Sequence, residues 1–323
     1  MSDLLNTNGS DFEFNPDAVD SIDQGSVEGG GPSYPVIQWA YGNMRDRKHG
    51  GVDGFGGFFV KAEKVDGAAM EAAGWTKTSR TFENGTEEEG YWKREAAISI
   101  IAERKRWEIN PADGQRQVFP WSGFDKAKEA NGGKAPSSRT HYLVLVKGLE
   151  QVGPFVLTMK GAAGAAFESY RNANSVISRF ANTVIAAANA ASDAAAKKAG
   201  KPSGKRWAYR AFWVPVGANR NDKGEPEYTT VGKAPNTTNV VLPIALGLPE
   251  KAAQVDLKRF YVGNDLLSQV NTLYDEAAEW RNAWTADGGA AANGDATNGD
   301  PVVAATSNAK DDAAIALLAA EGL

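Results

Sequence analysis

Four segments of this chain interleave cations with aromatic rings, the pairing that single-stranded nucleic acid needs. Bases stack on ring faces while cations follow the phosphates. Arg104, Lys105 and Arg106 precede Trp107; Lys205, Arg206 and Arg210 alternate with Trp207, Tyr209 and Trp213. Trp39 and Tyr41 lie just before Arg45, Arg47 and Lys48, and Tyr91-Trp92-Lys93-Arg94 repeats the pattern. Read as a strand, residues 205–216 put Trp207, Tyr209 and Trp213 on one face and Arg206, Arg210 and Phe212 on the other. The competing reading is that these rings pack in a core, as Trp and Tyr on strands often do. Arg104 to Trp107 carries the same ambiguity.

Other chemistries find little support. The chain has no cysteine and two histidines, which removes disulfides, thiolate catalysis and thiolate metal sites and disfavours a histidine-built one. Gly200 to Lys205 lacks the spacing of a phosphate-binding P-loop, and Gly54 to Val60 reads as a strand with bulges or a close backbone approach. Glu87, Glu88 and Glu89 adjoin a turn and read as solvated. His49 lies in a polar loop, and His141 opens a strand where it would satisfy a local hydrogen bond. The GAAGAAF run after Lys160 suits close helix packing, with a phosphate at that helix N-terminus as the alternative. No enzyme and no cofactor is expected.

The net charge of −5 is unevenly spread. Residues 1–31 hold seven acids and no Lys or Arg, and residues 285–323 hold six acids and one base. That leaves 27 acids against 34 bases over residues 32–284, or about +7. A basic body between acidic tails suits a polyanionic ligand. Residues 1–33 are expected to be a disordered arm, and 285–323 a disordered linker with an acidic and apolar tail.

Between the tails, short β-like runs fill Tyr34 to about Met159, with Asn84-Gly85 marking a hairpin. Phe167, Tyr170, Ile177, Phe180 and Val184 trace one stripe of a helix over 162–199, which should stop at Lys197-Lys198-Ala199-Gly200. Strand-like sequence resumes in 205–216 and 239–246, and a second helix spans 265–284 with Leu266, Val270, Leu273, Ala277 and Trp284 on one side. The fold class is α+β. Residues 34–284 are read as one OB-like β-barrel domain elaborated by the inserted helix 162–199 and the closing helix 265–284.

This layout, with the Arg104–Trp107 segment, residues 205–216, the inserted helix and the acidic tail, resembles single-stranded-DNA-binding proteins of phages and mobile elements built on OB-folds. The resemblance covers residues 34–284 and is one of architecture and charge layout. It implies a sequence-tolerant binder of single-stranded DNA or RNA in replication, recombination or protection of DNA. The chain's end, DDAAIALLAAEGL, departs from the compact acidic and aromatic tip of bacterial relatives. That tail, apolar beyond a polar linker, suits a second protein or another copy of the chain as partner. With no signal-like start and no run of 18 apolar residues, a cytoplasmic, membrane-free protein is expected. The rival reading is a structural or assembly protein of a virion, with the aromatic strands as subunit contacts.

Overall fold

The computed structural model describes residues 34–40, 56–81, 87–109, 117–159, 161–168, 172–233 and 236–282. Both acidic tails, together with Tyr41, Arg45, Arg47, Lys48 and His49, lie outside them. The apolar and alternating runs form strands β1 (Val36–Trp39), β2 (Phe58–Lys61), β3 (Thr76–Thr81), β4 (Glu87–Lys93), β5 (Ala96–Ile109), β6 (Gln117–Pro120), β7 (Ser137–Val146) and β8 (Phe155–Met159). Further along come β9 (Val214–Ala218), β10 (Thr229–Lys233), β11 (Asn236–Val240) and β12 (Pro243–Ala245). Helices α1 (Gly67–Ala72) and α2 (Phe124–Ala130) are short. They are followed by α3 (Gly161–Glu168), α4 (Val176–Phe180), α5 (Ala186–Lys198), α6 (Leu257–Phe260), α7 (Asn264–Glu276) and α8 (Ala278–Asn282).

Ten strands share one sheet in the order β12-β9-β5-β7-β8-β1-β2-β4-β3, with β6 paired to β5 off that path. Neighbours are antiparallel except β1 and β8, which run parallel. The strand order has two ends, β12 and β3, so the sheet is open and not closed into a barrel among the described residues. A separate hairpin joins β10 and β11. The α+β class expected from the sequence is what the chain adopts. No helix among the described residues is long and apolar enough to cross a membrane.

Several expected elements form where the pattern put them. β3 and β4 pair as a hairpin from Thr81 and Glu87 outward, one residue off the Thr81–Glu88 pairing that a two-residue turn at Asn84-Gly85 requires; the turn itself is outside the described residues. The glycines before β2 do allow a close approach: a Cβ at Gly57 would stand 2.6 Å from Lys93 O, and Gly56 has a φ of 83°. The inserted helix breaks in two. Ser175 caps α4, its Oγ accepting from Ser178 N–H at 3.2 Å, and α4 runs through a π-helical turn, Ala181–Ile185, into α5. Its stripe is nonetheless the buried one, since Phe167, Ile177, Phe180 and Val184 all sit in the core. The closing helix is likewise α7 and α8, parted at Ala277.

Residues 205–213 are not a strand. The chain there is irregular, makes a 3₁₀ turn at Tyr209–Ala211, and enters β9 only at Val214. Tertiary contacts override the alternating pattern: Trp207 packs edge-on against Phe212 and Tyr261, and Trp213 N–H donates to Phe260 O at 2.7 Å. The two-faced alternation expected there is therefore corrected.

One face of the sheet packs on α1, α3, α4, α5 and α6 through Met70, Phe167, Phe180 and Phe260; the other packs on α7 and α8 through Val270, Leu273 and Trp280. β5 is central to both. Its register on β7 shifts between Ile100 and Ala102, leaving Ile101 as an extra residue. Such a bulge re-aims every side chain beyond it.

Candidate nucleic-acid interface

Because side chains alternate along a strand, the bulge at Ile101 decides what each face of β5 presents. Beyond it, Glu103, Lys105 and Trp107 stand opposite Tyr142, Thr140 and Ser138, on the α3 side. Arg104, Arg106 and Glu108 stand opposite His141, Arg139 and Ser137, on the α7–α8 side. Adjacent residues of the Arg104–Trp107 segment thus serve different environments.

On the α7–α8 side the arginines are buried. Arg106 donates through Nε to Glu108 Oε1 at 2.8 Å and forms an ion pair with it through Nη2 at 2.7 Å, and Arg139 reaches the same oxygen at 3.1 Å. The carboxylate is what allows two guanidinium groups to oppose each other across β5 and β7. Arg104 lies 4.4 Å over the Trp280 ring and 3.4 Å from His141 Nδ1. Arg104 and Arg106 are 5% and 4% exposed: Arg104 ties the sheet to α8 through Trp280, Arg106 is held within the sheet, and neither offers its charge to a ligand as first expected.

The α3 side holds an exposed aromatic group. Trp107 stacks on Trp121 with ring centroids 4.2 Å apart and planes within 9°, and Phe124 meets Trp107 edge-on at 5.0 Å. Trp107 Nε1 donates to Trp121 O at 2.8 Å, which fixes the indole in place. β6, the 3₁₀ turn Trp121–Gly123 and α2 carry the second and third rings back over β5. Trp121 and Phe124 are 43% and 37% exposed, the exposed large hydrophobic residues among those described. Lys105 Nζ lies 5.8 Å from the Trp121 ring and forms ion pairs with Glu103 at 3.1 Å and with Glu168. Lys126 and Lys128 are exposed on α2, next to Phe124 in sequence. Trp121 and Phe124 were not picked out from the sequence; their signal was two large rings three residues apart in a polar, lysine-bearing stretch.

The other expected residues scatter. Trp39 is core, its Nε1 donating to Val241 O at 2.9 Å, and Trp213 is core on the opposite face of the sheet. Trp207 and Tyr209 pack against the first core, Tyr209 on Phe180. Arg210 donates to Asn271 Oδ1 at 2.7 Å and lies 4.5 Å over Tyr274. Lys205 is half-buried. Arg206 is exposed and bonds Asp193 on α5 at 2.9 Å. The Gly204 amide, then Arg206, hold the Asp193 carboxyl below its ordinary range. Trp92 is half-buried on β4 beside Gly57. Arg94 is exposed near Arg220, which donates to Gly56 O at 3.2 Å. Burial first, and then the Arg94 cation, pull Arg220 below its ordinary value. Arg94 and Arg220 form a second basic spot, at the β4–β5 turn. Compared with known protein families, curated proteins and solved structures, the chain matches none.

Proposed function

We propose that this chain is a sequence-tolerant, non-enzymatic binder of single-stranded nucleic acid, DNA in the first place, serving replication, recombination or protection of DNA in a phage or mobile element. The observation that carries the reading is the Trp107–Trp121–Phe124 group: a stacked indole pair with an open outer ring beside Lys105, with Lys126 and Lys128 exposed, together with Asp125 and Glu129, on the helix that carries Phe124. Large apolar rings left in water mark a contact surface, and bases stack on such rings whatever their sequence. The basic balance of residues 32–284 supplies the second ingredient. The barrel groove of OB-type proteins is not what supports this reading, because the sheet is open among the described residues and Trp39, Trp213, Arg104 and Arg106, first expected in a groove, are buried.

The test is a gel shift with a labelled single-stranded oligonucleotide on the intact chain and on Trp121→Ala. Trp121→Ala should weaken binding by ~1–3 kcal/mol and leave the thermal midpoint nearly unchanged, since the ring is 43% exposed. Unchanged affinity would remove the platform from the interface. If instead the substitution altered self-association, the rings would be subunit contacts, as the assembly-protein reading requires.

A further inference from the structure

The edge of β5 turned away from β7 is paired to β9 at Ala96–Ile98 and to β6 at Arg106–Ile109. Between these stretches, among the described residues, no strand lies along it. An open cleft of about 380 Å³ occupies the gap, floored by the four consecutive residues Ile100, Ile101, Ala102 and Glu103. Its size is that of a small-ligand site.

The walls suit one chemistry. Tyr209 and Tyr274, half-buried, line the cleft with aromatic surface, while Tyr142 beneath them is 2% exposed. Arg281 lines it too, its guanidinium 3.8 Å over the Tyr274 ring and its Nε buried with no hydrogen-bond partner. Arg210 lies over the same ring at 4.5 Å. A guanidinium that lies over a ring can still turn N–H donors to a planar or tetrahedral anion. Glu103, 47% exposed, adds a carboxylate that pairs with Lys105 through Oε1. Its other oxygen is an acceptor, which favours bases bearing an exocyclic amino group over thymine.

We infer that the cleft beside the bulge of β5 binds a single nucleotide unit, its phosphate on Arg281 and its base against the tyrosine-lined wall. The cleft lies at the edge of β5 between its two faces: Arg281 enters it from the α7–α8 side, while Glu103 lines it on the face that carries Trp107, with Lys105 between these two, pairing with Glu103 and Glu168 and lying near the Trp121 ring. A strand stacked on Trp121 can therefore lodge one nucleotide in the cleft. The assignment rests on the single-strand reading only for what delivers the nucleotide.

The experiment titrates the full chain with 5′-dAMP and with deoxyadenosine, following ligand NMR signals, and in parallel with an oligonucleotide. dAMP should bind saturably and at least fivefold more tightly than the nucleoside. Arg281→Gln should erase that difference, and dTMP should bind more weakly than dAMP. Should Arg281→Gln not fold, Arg281→Lys carries the comparison, with a several-fold loss expected because the flat fork is gone. Equal binding of nucleotide and nucleoside, no dAMP binding at all, or indifference to both Arg281 variants overturns the cleft assignment, even if the oligonucleotide binds. Binding of dAMP that depends on Arg281, with no oligonucleotide binding, upholds the cleft and overturns the single-strand reading instead.

Discussion

Whether an arginine on a strand can meet a phosphate depends on the face it takes and on what already holds it. Arg106 and Arg139 share Glu108 Oε1, and all three are less than about a tenth exposed. A buried ion cluster adds little net stability when complete, yet losing its counter-charge is costly because the remaining charges stay desolvated. Glu108→Ala should therefore destabilise the chain by ~3–5 kcal/mol, read as a fall in thermal midpoint, whereas exposed Arg206→Ala should change it little. A small effect of Glu108→Ala would mean the two guanidinium groups find water or other partners and are closer to the surface than the geometry indicates. Trp107 differs from its neighbours in the same way. Its indole N–H bonds Trp121 O, so its ring is the inner support of the stack and Trp121 its open face.

At the scale of elements, the bulge at Ile101 has the largest consequence. Were the strand to keep Ile101 without the bulge, alternation would send Arg104 and Arg106 to the α3 side and Trp107 to the α7–α8 side; deleting Ile101 instead leaves each of them opposite its present β7 partner and on its present face. The deletion should therefore keep unfolding cooperative, and Ile101→Ala, which also keeps the register, should cost ~2–5 kcal/mol. A deletion variant that lost cooperative unfolding would show that the extra residue is itself needed to hold the two faces. The sequence carries no sign of this bulge, since Ile98, Ile100, Ile101 and Ala102 fit either phase; the faces of Arg104 to Trp107 could not be read from it. Strongly periodic elements were legible: the pairing around Asn84-Gly85, the apolar run of β7, and the helical stripe Phe167, Ile177, Phe180, Val184. Residues 205–213 misled because their alternation is real but their packing is dictated by Phe260 and Tyr261, remote in sequence. α2 is only Phe124–Ala130, too short for a periodic signal, and the ring that carries the functional reading sits in the turn before it.

For the whole molecule, electrostatics link the basic body to its tails. Removing residues 285–323 takes away six acids and one base, a change of +5. If those acids compete with nucleic acid for the same surface, the truncated chain should bind single strands more tightly than the full chain, most of all at low salt where screening is weak. Equal affinities at low salt would exclude competition and leave recruitment of a partner or a solubilising role. The central claim, that cations and exposed rings of the body act together on a single strand, is tested most directly by titrating the full chain with single-stranded and duplex oligonucleotides across a salt series while following tryptophan fluorescence. The account predicts quenching on single strands, an affinity that falls with a log–log slope of about −0.7 per phosphate contacted, and weaker binding to duplex. Flat salt dependence, or tighter binding to duplex than to single strand, would contradict it.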